Sequence, residues 1–333
     1  MQAPAVGGIN LWDLLPVHIR HDVLSRMSLV VAIKLALTST RSYALYKDHC
    51  ASRVNRQLSK FGMPVPETLD MMQAHKAVLS GSVAVLIVEG GLFIPGDLDI
   101  FVPKGTMEEI HKFVVGSTQY TQTGQGTSQW SEPTAGSLTG YDSSHETGIV
   151  DVRIYAHQDS RKIINVIETS LDISTSAVML FHTTFVMSFV TWNAIVSAYP
   201  LTTSKGEGLL NSYQQEEKPR VKTCLDKYKT RGFTIADSCE SWKPGHLCGT
   251  HGYCGRTIRK ISDPTTMRIC FTEWSNKDAD VIDRGMEWRL ACRNDCRDSD
   301  KYRPSSGWVC TSSGIRVDRT VAPVAPPAGT TLL

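Results

Sequence analysis

Apolar residues near the start of the chain recur at helical spacing. Leu14, Leu15, Ile19, Val23, Leu24 and Met27 form one set, and Ile33, Leu35, Ala36, Leu37 and Tyr43 a second. Pro16 suits a first helical turn, where its missing N–H costs nothing. The pattern predicts a small helical segment over residues 1–62, closed by the proline-containing joint FGMPVPET. Helix is then expected over 71–78, a short strand over 79–82 and a second strand over 97–102.

The pattern lapses between Gly116 and Gly148, where 19 of 33 residues are Gly, Ser or Thr and Leu138 is the one large aliphatic. Such a stretch buries too little apolar surface to offset its ordering entropy, so it reads as a flexible insertion. Periodicity resumes in GIVDVRIYA and KIINVIET, two strand-like runs joined by HQDSR, a hairpin turn. From Ile173 to Ser204 no charged residue occurs. The run is long enough to cross a bilayer, yet His182, Thr183, Thr184, Ser188, Thr191, Asn193 and Ser197 would need partners in hydrocarbon. A buried core helix is the expected form, with His182 and Trp192 as core residues, and no membrane partner is expected. A helix over 216–231 completes a core spanning 63–235.

Residues 236–318 are rich in Cys, Trp and Arg without a clear period, and the Pro/Ala-rich tail 319–333 reads as disordered. The order of elements predicts an α+β fold, a mixed sheet with helices on one face, behind the small helical segment.

Composition adds limits. The chain has 333 residues, enough for one large domain or two ordinary ones. With 35 Lys+Arg against 33 Asp+Glu, a net charge of +2 gives no global field to concentrate polyanions, so charge does not support a nucleic-acid partner. Lys218, Arg220, Lys222, Lys227, Lys229 and Arg231 cluster near the 216–231 helix and read as a solvated face. The first twenty residues lack the basic start and apolar run of a secretory leader. The nine Cys are therefore expected to be mostly reduced, in an intracellular setting, cytoplasmic or nuclear. Cys248-x-x-His251-x-x-Cys254 and Cys292-x-x-x-Cys296 offer zinc ligands, with Cys239, Cys270 and Cys310 in reserve. The tight CxxC pairs of structural zinc sites are absent, so zinc is not expected.

The most informative residues are Ser80-Gly81-Ser82 and, fourteen residues on, Asp97-Leu98-Asp99-Ile100. On a strand, positions 97 and 99 share one face while Leu98 and Ile100 enter the core. Two carboxylates about 4 Å apart repel by roughly 4 kcal/mol at an effective dielectric near 20, which a divalent cation would relieve. A Gly-Ser turn lets backbone N–H groups approach a phosphate.

Together these motifs resemble the signature of the nucleotidyltransferase superfamily, the polymerase-beta-like fold. The resemblance implies Mg²⁺ and an NTP, with Asp97, Asp99 and a third carboxylate on a later strand as metal ligands and catalytic groups. Asp151 in GIVDVRIY is the candidate for the third, and Gly81 and Ser82 would hold phosphate. The reaction implied is in-line transfer of a nucleoside monophosphate to an unknown acceptor, or nucleotide binding alone. Gly96 stands where active members often carry Ser. VLSGSVAVL, PGDLDIFV, KIINVIET, MLFHTTFVMSFVTWNAIVSAYP and LDKYKTRGF also resemble a large group of uncharacterised proteins of mushroom-forming fungi that share this core. Many of them start with an F-box-like segment. Here LWDLLPVHIRHDVLSRMSLVVAIKLALTSTRSYAL is similar to an F-box, with His18 replacing the usual acidic residue. That likeness implies a second function: a non-enzymatic adaptor, or pseudoenzyme scaffold, whose residues 9–60 dock on a ubiquitin-ligase scaffold.

Overall fold

In the computed structural model, the described residues are 11–91, 93–126, 148–211, 219–242, 244–272, 285–291, 307–311 and 315–318. The N-terminal helices are α1 (Leu11–Leu14), α2 (Val17–Ser25), α3 (Leu29–Ala36) and α4 (Thr40–Lys60), followed by α5 (Val65–His75). Serine caps start two of them: the Ser28 side chain accepts from Val31 N at 3.3 Å and that of Ser39 from Ser42 N at 3.0 Å. Tyr46, Cys50, Val54 and Leu58, each four residues apart, make the buried stripe of α4.

The chain then enters the sheet through β1 (Val78–Ser80) and turns at once into α6 (Gly81–Glu89). β2 (Asp97–Val102), α7 (Met107–Ser117), β3 (Tyr120–Gly126), β4 (Ile149–His157) and β5 (Ile163–Thr169) follow. Two 3₁₀ turns lead into β6 (Ser188–Val190) and β7 (Ala194–Ser197); next come α8 (Pro200–Thr203), β8 (Glu207–Leu209), α9 (Pro219–Thr230), β9 (Thr234–Ala236) and α10 (Cys239–Trp242). The C-terminal strands are β10 (Arg259–Lys260), β11 (Met267–Cys270), β12 (Glu287–Arg289), β13 (Trp308–Cys310) and β14 (Arg316–Asp318).

The result is an α+β protein around an eight-stranded mixed sheet ordered β11-β7-β6-β1-β2-β5-β4-β3. β2 and β5 are its parallel pair, as expected where a helix and a hairpin intervene between them. Leu79, Leu98, Ile100, Val102, Ile164 and Val166 point to one face, where α3 to α7 cover them. Val78, Phe101, Ile167, Phe189 and Val196 point to the other, against Trp288 and Val309 of the antiparallel sheet β10-β12-β13-β14 and Met286 just before β12. The N-terminal helices are joined to the sheet layer by Arg53, 5% exposed, which donates to the carbonyls of Ile87 and Leu24 at 2.8 Å and also to that of Met27.

Four expectations change. The uncharged run 173–204 is mostly buried, with His182 and Trp192 partly so and Leu201 exposed, but is not one helix: it makes 3₁₀ turns, the β6–β7 hairpin and α8. Strands covered on both faces lose the alternation that would reveal them, and β-branched residues favour them here. Residues 79–82 do not form one strand, because Gly81 and Ser82 begin α6, and the preceding helix ends at His75 where Lys76 adopts φ 54°. Part of the low-complexity insertion is ordered, since β3 pairs with β4 through backbone bonds that need no apolar side chain. One aromatic anchors it: Tyr120 is 1% exposed and its hydroxyl donates to Phe61 O at 2.8 Å. Residues 127–147 and the tail 319–333 lie outside the described residues, as do Cys292 and Cys296. The β4–β5 hairpin stands where expected, and α9 fills the described part of its expected span, whose first residues, 216–218, lie outside the described residues. Among the described residues, no helix is long and apolar enough to cross a membrane.

Candidate functional site

β1 and β2 run antiparallel with Ser80 opposite Asp99, so the first turn of α6 lies against the N-terminal half of β2. Gly81 sits there with φ +64°, and an added Cβ would fall 2.1 Å from Asp99 Oδ2. Two independent constraints, backbone sign and close approach, therefore require glycine at this position. Ser82 Oγ donates to Asp97 Oδ1 at a long 3.4 Å, and Ser80 Oγ is committed to Ser188 O at 2.8 Å. Thus Gly81, Ser82, Asp97 and Asp99 form one group at one end of the sheet. Asp99 is 3% exposed, and the Asp97 side chain 13%.

The neighbouring parallel strand completes the floor. Asn165 of β5 is the register partner of Asp99, and its Nδ2 donates to Asp99 Oδ1 at 2.8 Å. Asn165 is fully buried, and its Oδ1 has no hydrogen-bond partner among the described residues. A buried amide oxygen without a donor is a costly arrangement unless something electropositive reaches it.

One turn of α9 overhangs the carboxylates. Lys227 Nζ is 4.0 Å from Asp97 Oδ1 while its side chain stays 39% exposed, so this lysine stands at the solvated rim of the site. Burial raises the Cys224 thiol above its ordinary range; Lys227 opposes that shift and the charges of Asp97 and Asp99 reinforce it. Tyr228 is likewise raised by burial, lowered by Arg231, and raised by the same two carboxylates. Tyr228 stacks against Phe185 with ring centroids 4.6 Å apart, and the Arg231 guanidinium lies 4.3 Å over the Phe93 ring. These contacts fix α9 against the end of the sheet. Lys222 and Lys229 are exposed; Lys218 and the Arg220 side chain fall outside the described residues.

Asp151 is placed elsewhere. It lies on β4, beyond β5, and pairs with Glu168, the residue opposite Val102 at the far end of β2. Two strand spacings across and three residues along put it about 14 Å from Asp99. Its Oδ1 accepts from Val152 N at 2.8 Å and its Oδ2 lies 3.6 Å from Arg153 Nε, in an edge network that includes Glu108. Asp151 therefore cannot share an ion with Asp97 and Asp99. The residue that stands beside the pair, Asn165, was concealed in the sequence because KIINVIET shows no acidic residue at that position and its pairing partner is set by the sheet order.

Comparisons of the chain with protein-family models, with curated proteins and with solved structures return no match.

The donor set suits a hard divalent cation. Two carboxylates and an unpartnered amide oxygen are oxygen ligands of the kind Mg²⁺ takes, and the helix start at Gly81-Ser82 favours a phosphate. A second ligand set of opposite character occurs in the C-terminal region: Cys239, His246 and Cys254, all buried, offer ligand atoms within 4.8 Å of one another.

Proposed function

We propose that the chain binds a nucleoside triphosphate with Mg²⁺ at the Asp97/Asp99 end of the sheet, as a nucleotide-binding protein of nucleotidyltransferase-like build. Asp97 and Asp99 would hold the ion, whose chemistry is to neutralise and orient the phosphate oxygens. The first turn of α6 and Lys227 would receive the phosphates. The observation that carries this reading is the convergence of Gly81, Ser82, Asp97 and Asp99, with the unpartnered Asn165 Oδ1 beside them. Asn165 also sets its limit. Transfer calls for a third carboxylate to help a metal deprotonate an acceptor hydroxyl, and a neutral amide next to Asp99 neither adds charge nor takes a proton. Binding without transfer is therefore favoured over catalysis.

A thermal-shift titration tests it. The midpoint of the wild type should rise with Mg²⁺ and ATP or GTP together, by the amount that about 2.7 kcal/mol of linkage gives at a hundredfold excess over Kd, and should not rise when EDTA replaces Mg²⁺. Asp97→Asn should abolish the rise. An equal rise in Asp97→Asn would remove the metal site, and release of pyrophosphate by the wild type would overturn the binding-only reading.

A second reading concerns α1 to α3. Leu11, Leu14, Val17 and Ile19 are 76, 67, 49 and 40% exposed, a run of apolar side chains at the start of the F-box-like segment. Such a patch on a helical surface suits a protein partner, and the linker subunit of cullin-type ubiquitin ligases is the one that the resemblance implies. Full-length protein should capture that purified subunit, and Leu14→Asp with Ile19→Asp should lower the affinity at least tenfold with no loss of thermal stability. Unchanged capture by the double variant would count against this surface.

A further inference from the structure

The segment that follows α10 has no regular structure of its own. From 244 to 258 it is a succession of turns, with Gly245 and Gly249 at φ +74° and +78° reversing the chain. Backbone of this kind, placed against the face of a sheet, needs something other than a hydrogen-bond ladder to hold it. Cys239, the first residue of α10, and Cys254, within the segment itself, are part of the core, at 9 and 0% exposure, and His246 is 6% exposed. Their ligand atoms lie within 4.8 Å of one another. Cys248 is near as well, its Sγ 3.8 Å from His246 Nε2. The imidazole is addressed from both sides: Nε2 faces the Cys248 sulfur while Nδ1 faces Glu240 Oε2 at 3.4 Å. Cys254 Sγ in turn accepts the Gly249 N–H at 3.4 Å.

From this cluster we infer a structural zinc site formed by Cys239, His246, Cys248 and Cys254. Three sulfurs and one imidazole nitrogen are a closed tetrahedral set of the type that selects zinc, with zinc–sulfur distances of about 2.3 Å and zinc–nitrogen distances of about 2.0 Å. Closing the set requires the atoms of Cys239, His246 and Cys254 to draw together by up to about 1 Å, and the Cys248 sulfur, which lies outside that 4.8 Å group, to turn in toward them. Glu240 supplies the outer carboxylate that fixes which ring nitrogen binds, and the Gly249 N–H disperses charge on a coordinated thiolate. Binding releases up to three thiol protons to solvent and leaves a site of net charge −1. The spacing Cys-x₆-His-x-Cys-x₅-Cys contains no CxxC pair, which is why the sequence pattern did not announce it. His251, which the spacing favoured as a ligand, is not among the converging residues and packs on Tyr253 with ring centroids 5.1 Å apart.

Metal analysis of the full chain, purified and then dialysed against EDTA, provides the test. About one zinc per chain should remain, and His246→Ala and Cys254→Ser should each lower it at least tenfold, while Cys270→Ser and Cys310→Ser leave it unchanged. Should the ligand variants fail to fold, wild-type protein reconstituted with Co²⁺ decides the matter. A thiolate-to-cobalt charge-transfer band with the intense red absorption of tetrahedral cobalt, both erased by stoichiometric zinc, supports the site. Cys248→Ser should keep the tetrahedral bands and lower the charge-transfer intensity by about a third. Wild type that retains less than about 0.1 zinc per chain and gives only the weak spectrum of hexa-aqua cobalt would overturn the proposal. A non-reduced mass lower by two hydrogens, with Cys239 and Cys254 in one disulfide-linked peptide, would overturn it equally.

Discussion

The two faces of the main sheet are each tied down by a buried arginine, and the arginines are held in different ways. On the helical face Arg53 donates to three main-chain carbonyls, of Ile87, Leu24 and Met27, and its Nε to His49 Nε2 at 2.8 Å. Every one of these acceptors is a neutral group. On the opposite face Arg259, 2% exposed, pairs with Asp263 Oδ2 at 2.6 Å, donates to Ala198 O and Gly252 O at 3.2 Å, and lies over the rings of Tyr199 and Trp288. Asp263 is 27% exposed and can turn to water. The first arginine seals a dry joint between helices; the second organises a face that stays partly open. Both candidate ligand sets, the carboxylates and the thiols, lie on the side of the sheet that the second one organises.

The largest expected effect is on the sealed joint. Arg53→Met strips donors from the buried carbonyls of Ile87 and Leu24 and from the part-buried carbonyl of Met27, and should destabilise the protein by about 3–5 kcal/mol. Arg259→Met should cost only about 2–3 kcal/mol, because Asp263 regains solvent and the methionine still packs on Trp288. Urea unfolding of both variants measures the difference, and equal losses would erase the contrast between the faces.

Next comes the turn that builds the carboxylate site. Gly81→Ala forces a Cβ into a left-handed backbone position and against Asp99, at a cost of about 2 kcal/mol, with loss of any Mg²⁺-dependent nucleotide shift. Asn165→Asp should act in the opposite sense on metal binding. A further carboxylate, fully buried beside Asp99, should lower stability by about 2 kcal/mol in EDTA, and Mg²⁺ or Mn²⁺ should restore most of it. A variant equally stable with and without divalent ions would show that no cation reaches Asn165.

The same contrast explains what could be read from the residues. The helical segment, β2, the β4–β5 hairpin and α9 carry periodic apolar positions, and each stands within a few residues of its expected place. Asp97 and Asp99 were legible because alternation along a strand is local geometry. The third position of that site was not, since which strand lies beside β2 is decided by the order of the whole sheet, and it brought Asn165 in place of Asp151. Residues 173–204 misled for a related reason: burial on both faces erases the signal that separates strand from helix. In the thiol cluster the ligands come from turns of irregular length, whose spacing has no period to recognise. The exposed apolar side chains of α1 and α2 were visible only as half of an amphipathic pattern, because exposure depends on what packs against them.

The smallest predicted effect isolates the helical face by pH. His49 is buried in the joint, and burial first, then the neighbouring Arg53 charge, holds its imidazole down to about 3 from an ordinary value near 6.5. The native state therefore keeps it neutral, accepting the Arg53 Nε–H, over a range in which the unfolded chain binds a proton. Between pH 6.5 and 3 the unfolded state holds more protons at this site, so stability from it falls as pH falls; above 6.5 its contribution is flat. At pH 5 the loss should be about 1–2 kcal/mol relative to pH 7.5. His49→Gln retains an oxygen acceptor for Arg53 but has no proton to gain, so its stability should change by about 1–2 kcal/mol less than that of the wild type over the same interval. Chemical unfolding of both proteins at pH 5 and pH 7.5 gives the double difference directly. Parallel curves would mean that the imidazole is as accessible to protons in the fold as in the open chain, and the joint around Arg53 would then be no drier than the face across the sheet.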